Sequence, residues 1–282
     1  MTNVIYSPES DLRRPIQLAR VMWRDLLGSH RLAMRLAVRD LRAQYRQSIL
    51  GVLWVVLLPL SNTGAWLFLQ RAGIIDIAGI GVPYGVYVFT GAMVWSIFTD
   101  AINAPLQQTL AAKSMLVKIN FPREALVVAG LYQTMFNAAI KIVLMLGVLT
   151  AYGHSPGLSV LGLPLAVAAL MLAGTALGLL LTPIGVLYSD IGRALPLLTQ
   201  FLIFVTPVAY SIPAKGWAAQ VMEGNPLTPL VEFARDCILS TDAASLKQFL
   251  LVNAGALFVL LIVWLVYRIA MPILIERMGN QS

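Results

Sequence analysis

Charge is what this sequence has least of. Asp, Glu, Lys and Arg make up 12% of its 282 residues, roughly half the share of a soluble globular domain, while 59% of the chain is hydrophobic and mean hydropathy is +0.79. An ordinary soluble domain is excluded, and the composition fits a polytopic all-α membrane protein. Cysteine is nearly absent too: Cys237 stands alone, so there is no intramolecular disulfide and no cysteine-based metal cluster. A phosphate loop of the form G-x-x-x-x-G-K followed by Ser or Thr occurs nowhere, so the chain cannot itself bind and hydrolyse ATP in the P-loop manner. His30 and His154 lie far apart, and neither H-E-x-x-H nor paired intramembrane carboxylates are found. That argues against a metalloprotease and against a carrier driven through an Asp/Glu/His proton relay. The first 30 residues lack a short apolar core with a small-residue cleavage site, so no cleavable signal peptide is expected.

The few charges that are present punctuate long apolar runs, because a charged side chain in hydrocarbon costs several kcal/mol. The gaps between them predict six spans, at about 50–69, 84–104, 126–151, 160–188, 194–212 and 250–270, with YGHSP (Tyr152 to Pro156) supplying the turn between the third and fourth. Twenty Lys and Arg against 13 Asp and Glu give a net charge of +7. Because these charges flank apolar runs, membrane electrostatics accounts for the excess and nucleic acid is not an expected partner. Fifteen of the basic residues fall on one side of the six spans and four on the other, so both termini are expected in the cytoplasm. The whole chain, 1–282, reads as a single transmembrane domain.

Several segments are not simple spans. After an N-terminal extension (1–29), residues 30–48 carry Arg31, Arg35, Arg39, Arg42 and Arg46 at steps of four, four, three and four. These project in a stripe about 80° wide on a helix whose remaining face is largely apolar. Such a helix lies along the membrane interface; its arginines either enforce topology or also meet a phosphate-bearing substrate. The connection 105–124 has an amphipathic pattern with Lys113 and Lys118 and stops at NFPRE (Asn120, Phe121, Pro122, Arg123, Glu124). It reads as a docking helix or as a solvated loop with an interfacial face. The segment 213–247 is too long to be structureless, and its NPLTPLVEFARDCIL run predicts short helices dipping back into the outer interface. Gly174 and Gly178 form a small-xxx-small face suited to close contact between helices of the same chain. Lys141, deep in the third span, either snorkels outward or pairs with a polar neighbour, and Asp100 near the end of the second is equally open. Polar and aromatic residues in the spans, Trp54, Asn62, Thr63, Trp66, Tyr87, Trp95, Phe98, Phe201, Phe204 and Tyr210, are either core or the lining of a path on which sugar rings could stack.

Four ordered stretches carry a family likeness: QYRQSILGVLWVVLLPL (Gln44 to Leu60), KINFPREAL (Lys118 to Leu126), YSDIGRALPLLTQFLIFVTPVAYS (Tyr188 to Ser211) and NPLTPLVEFARDCIL (Asn225 to Leu239). Over residues 30 to 270 the chain resembles the membrane subunit of type-2 ABC exporters for polysaccharides, which include O-antigen and teichoic-acid exporters. The resemblance implies a permease of the bacterial inner membrane that dimerises and works with two copies of a separate cytoplasmic ATPase, where ATP and Mg would be bound. This chain itself would hold no cofactor and no metal and would not be an enzyme. It also implies that 105–124 carries a coupling helix seated in the ATPase, that spans one, two and five line the path, and that the segment after Pro213 forms re-entrant outer helices. The substrate would be a lipid-linked polysaccharide, its diphosphate meeting the Arg31–Arg46 row. Two other classes stay open: a gradient-driven carrier of a small solute with Lys141 and Asp100 as gating charges, and a membrane-bound glycosyl- or phosphotransferase. The latter is disfavoured because no cytoplasmic loop gathers the carboxylates it would need.

Overall fold

A computed structural model describes residues 15–46, 49–73, 82–119, 121–154, 157–212, 215–241 and 244–279. Residues 1–14 of the N-terminal extension and Asn120 of the NFPRE motif therefore lie outside the described residues. Among the described residues the secondary structure is helical throughout. The α-helices are α1 (Pro15–Gly28), α2 (His30–Arg46), α3 (Trp54–Arg71), α4 (Tyr84–Ala111), α5 (Lys113–Lys118), α6 (Glu124–Ala151), α7 (Leu163–Leu187), α8 (Ser189–Leu202), α9 (Trp217–Gly224), α10 (Leu227–Leu239) and α11 (Leu246–Gly279). Among the described residues, four stretches are long and apolar enough to cross a membrane: Tyr84–Ala111, Glu124–Ala151, Leu158–Leu187 and Leu246–Glu276. The chain is a multi-pass membrane protein.

The expected first and fifth spans are not among those four, for separate reasons. Helix α3 has 18 residues, and Ser61, Asn62, Thr63, Gln70 and Arg71 dilute its apolar character. Helix α8 stops at Leu202 and gives way to successive turns through Pro207. The second span also differs from expectation, since α4 runs on to Ala111. Pro105 removes one N–H from the helical ladder but does not end the helix, and the Thr109 hydroxyl donates to the Pro105 carbonyl at 2.8 Å. The separate helix inside 105–124 is thereby reduced to the six residues of α5.

Helix α4 is the centre of the molecule. It is largely apolar and buried along most of its length, packed by α3, α6 and α7. Small residues set its distance from α7: a Cβ on Gly174 would lie 2.7 Å from the Ala101 Cβ and 2.8 Å from the Phe98 carbonyl oxygen, and one on Gly178 would run into the Ile102 carbonyl. The expectation of close contact within the chain holds at both glycines. Against α6 the register of α4 is antiparallel, with Gln108 donating to Gln133 at 2.7 Å and Lys141 donating to Asp100 at 2.7 Å. Helix α11 packs on α7, while α2 lies along α6 with Ala33, Leu36 and Ala37 buried. Helix α10 closes the opposite end of the bundle against α4, α7 and α11.

Candidate functional site

A groove of about 330 Å³ opens between α3, α4 and α6. Its α3 wall is Trp54, Val55, Leu58, Pro59 and Asn62; α4 supplies Ala92, Trp95, Ser96, Thr99 and Asp100, α6 supplies Asn137 and Lys141, and Gln44 of α2 stands at one end. The spacing explains the α3 wall, because residues four apart share one helix face and Trp54, Leu58 and Asn62 therefore align. Pro59 has no N–H to offer the Val55 carbonyl, and the Thr63 hydroxyl donates to the Pro59 carbonyl at 2.8 Å. At the floor, the Lys141 side chain is 3% exposed while its partner Asp100 is 35% exposed, so the cation is hidden and the carboxylate is presented. An unpaired ammonium at such a depth would be costly; the 2.7 Å pair resolves the alternatives left open for Lys141 in favour of a polar neighbour.

One more step of four along α3 leads to Trp66, at the other end of the strip. Its ring lies 6.2 Å from that of Phe204 and 6.0 Å from that of Tyr210. These two aromatics flank the non-helical chain that follows α8, and that chain is held by donors from within it and from α4, Asn225 and α10. Tyr210 Oη donates to the Phe204 carbonyl, Asn225 Nδ2 to that of Val205 at 3.0 Å, and Arg235 to those of Pro207 at 2.7 Å and Val208 at 2.6 Å. Tyr84 Oη donates to Ala209 at 3.0 Å and Tyr87 Oη to Tyr210 at 3.3 Å, while the Thr206 carbonyl accepts from the Val208 N–H at 2.7 Å. Every carbonyl from Phe204 to Tyr210 thus has a partner, which is the condition for irregular backbone inside an apolar bundle. Arg235 is the centre of this arrangement. It is fully enclosed, stacks 3.9 Å over the Tyr87 ring and donates to its hydroxyl at 2.5 Å, and Gly91 leaves it room. Asn225 Oδ1 also accepts from the N–H of Leu227, the first residue of α10, at 3.0 Å, so the NPLTP motif joins the start of α10 to the break after α8. One turn from Arg235, burial raises the Glu232 carboxyl above its ordinary range, with Arg235 pulling it back.

At the opposite end the five arginines of α2 are all exposed, on the side away from buried Ala33, Leu36 and Ala37. Arg35, Arg39, Arg42 and Arg46 line a surface depression of about 620 Å³ together with Met34, Val38 and Ala43. Arg39 donates to the adjacent Asp40 at 2.7 Å. The C-terminal turn of α2 contributes to both, Ala43 and Arg46 to the depression and Gln44, on the other face of the helix, to the groove. Nearby, Arg268 of α11 donates to Glu124 and, at 2.7 Å, to Asp25 of α1, fastening three helices together.

The site residues expected from sequence divide into groups. Trp54, Asn62 and Trp95 meet in the groove, Thr63 is buried beside it, and Trp66, Phe204 and Tyr210 form the aromatic cluster at the far end. Phe201 is exposed on α8, Tyr87 is buried under Arg235, and Phe98 is fully buried against Trp95. Of the segment ending in NFPRE, Lys113, Lys118 and Pro122 are exposed and Arg123 is half-buried, whereas Phe121 packs against the cluster around α2 and α11 and Glu124 is buried with Arg268. Arg235 and Asn225 were missed as functional residues. An arginine between Glu232 and Asp236 in an amphipathic run was the available signal, and nothing in the spacing told what it would bind.

The chain matches no family model. It is similar to the O-antigen export system permease protein RfbA of Klebsiella pneumoniae, 24% identical over 208 residues that make up 72% of this chain and 78% of that protein. A second relative is the O-antigen export system permease protein RfbA of Myxococcus xanthus, 26% identical over 145 residues, 51% of this chain and 54% of that protein. A further Klebsiella pneumoniae protein of the same name is 22% identical over 208 residues, 72% of this chain and 78% of its own length. Motifs and relatives agree on the family that this multi-pass chain resembles, that of the membrane-spanning permeases of type-2 ABC exporters for polysaccharides.

Proposed function

We propose that the chain is the permease subunit of an ATP-driven exporter moving a lipid-linked, O-antigen-like polysaccharide across the bacterial cytoplasmic membrane, with hydrolysis carried out by a separate ATPase. The observation that carries this reading is the strip of α3, Trp54, Leu58, Asn62 and Trp66, which joins the polar groove, to which Gln44 of the arginine-bearing α2 contributes, to the aromatic cluster at the far end. Twelve residues of helix span about 18 Å, so a polymer following this strip would pass much of the membrane while stacking on aromatic faces and bonding to neutral polar groups. Exposed apolar side chains beside the strip, Leu57 and Leu60 of α3 with Leu197, Leu198 and Phe201 of α8, suit a second copy of the chain closing the path as a homodimer. In this reading α3 and the α8 segment complete six spans, both termini are cytoplasmic, α2 lies at the interface with its arginines at lipid headgroups and the lipid diphosphate, and α9 and α10 are the re-entrant outer helices.

The ATPase meets α5 and the exposed part of the motif after it, Lys113, Lys118, Pro122 and Arg123, with Phe121 anchoring the motif inward. Two copies of the ATPase would serve the dimer. A gradient-driven carrier is disfavoured because its supposed gating charges neutralise one another at 2.7 Å. The test is coexpression with a candidate ABC ATPase of the same genome, tagging only this chain. Copurification in equal amounts, with ATP hydrolysis altered by Arg123→Glu, is expected. Purification of the permease alone with every candidate ATPase overturns the reading.

A further inference from the structure

The export reading leaves Lys141 and Asp100 without a role, and the structure places them in a groove that has the chemistry of a ligand site. At about 330 Å³ the groove falls in the range of small-molecule pockets, roughly 300–1,000 Å³. It offers two indole rings, Trp54 and Trp95, and a set of neutral polar groups from Asn62, Ser96 and Thr99. Its exposed ionic group is an acceptor: the Asp100 carboxylate faces outward while the Lys141 ammonium is enclosed behind it.

That polarity selects among ligands. A phosphate would meet the carboxylate before the cation, and the arginine-lined depression on the other face of α2, whose C-terminal turn also gives Gln44 to the groove, suits it better. A metal cation would find a carboxylate already neutralised by an ammonium at 2.7 Å. A neutral polyhydroxylated ring satisfies all the features together, since hydroxyl groups donate to Asp100, amide and hydroxyl side chains complete the bonding, and the ring face lies against indole.

We propose that the groove between α3, α4 and α6 is a binding subsite for the neutral sugar next to the lipid diphosphate, with Asp100 as the hydroxyl acceptor and Lys141 as the positioning residue that fixes its orientation. This rests on the export reading above and adds to it where the substrate is recognised: the phosphates stay at Arg42 and Arg46 while the adjoining sugar enters the groove. The site discriminates glycan-bearing lipid from the bare carrier.

The test uses the purified full chain in zwitterionic nanodiscs, titrated with a polyprenyl diphosphate bearing a neutral hexose disaccharide and with the same polyprenyl diphosphate lacking sugar. The sugar-bearing lipid is expected to bind about tenfold more tightly, the magnitude of one or two well-made hydrogen bonds. The double variant Asp100→Leu/Lys141→Met removes both charges so that neither is stranded, and should abolish that preference while binding the bare lipid unchanged. Asn62→Leu, which touches neither charge, should reduce it. Arg42→Ala/Arg46→Ala should weaken both lipids alike. Equal affinity of the wild type for the two lipids, or a preference that survives in a monodisperse double variant, overturns the subsite. Failure of the wild type to bind either lipid removes the lipid-diphosphate premise along with it.

Discussion

A single missing methyl group fixes the separation of the two central helices. At Gly174 a Cβ would press on both the Ala101 side chain and the Phe98 carbonyl, and backbone cannot move aside as a flexible side chain can. Gly174→Ala is therefore expected to lower the thermal midpoint of the detergent-solubilised protein, by an overpacking cost of about 1–3 kcal/mol. Gly147→Ala, on α6 with open space around it, should leave the midpoint unchanged or raise it. Arg235 is the other residue with disproportionate reach. Arg235→Gln keeps a polar side chain but cannot serve two carbonyls and a phenol at once, so at least one buried carbonyl is stranded at a cost of about 1–3 kcal/mol. The expected result is faster proteolysis or hydrogen exchange confined to the segment around 204–210, read by mass spectrometry.

At the scale of the element, the triad of Asp25, Arg268 and Glu124 joins the starts of α6 and the bundle to both ends of the chain. Its members are not equivalent. Removing the cation strands Glu124, which is 5% exposed, whereas neutralising Asp25 strands nothing buried. Arg268→Ala is expected to destabilise by about 3–5 kcal/mol, and Arg268→Ala combined with Glu124→Gln to recover much of that loss. The melting temperatures of the single and double variants check it. Glu124 also shows where sequence reasoning reached its limit. Its place at the start of a helix after Pro122 was legible, because proline and the change to an apolar run mark that boundary. Its partner was not, since Arg268 is 144 residues away and only the packing of α11 on α7 and α5 brings it near. The arginine stripe of α2 was readable for the opposite reason, being a local periodicity that survives whatever the helix packs on. The break after Leu202 was not readable, because Thr206 and Pro207 are equally compatible with a kinked helix, and the choice is made by Arg235, Asn225, Tyr84 and Tyr87 from elsewhere in the chain.

For the whole molecule, the α3 strip runs from the groove to which the arginine-bearing α2 contributes to the cluster of Trp66, Phe204 and Tyr210. If the arginine row meets the lipid diphosphate, Arg42→Glu/Arg46→Glu should reduce polymer display at the cell surface severely while the permease still copurifies with its ATPase. Immunoblots of surface polymer alongside pull-downs decide it, and full display in the double variant would remove the phosphate role. Neither substitution touches a buried contact, so stability should stay close to wild type.

The two cross-braces between α4 and α6 have a mechanical meaning. Asp100 with Lys141 and Gln108 with Gln133 occupy the same antiparallel register, eight residues or about 12 Å apart. Sliding one helix past the other by a single turn, about 5.4 Å, would break both at once and strand an enclosed ammonium. The pair is consequently a rigid strut. In the export reading, a push delivered at the start of α6 would be resisted as slippage between the two helices and passed along the pair, which would leave movement to α3 and the non-helical segment after α8.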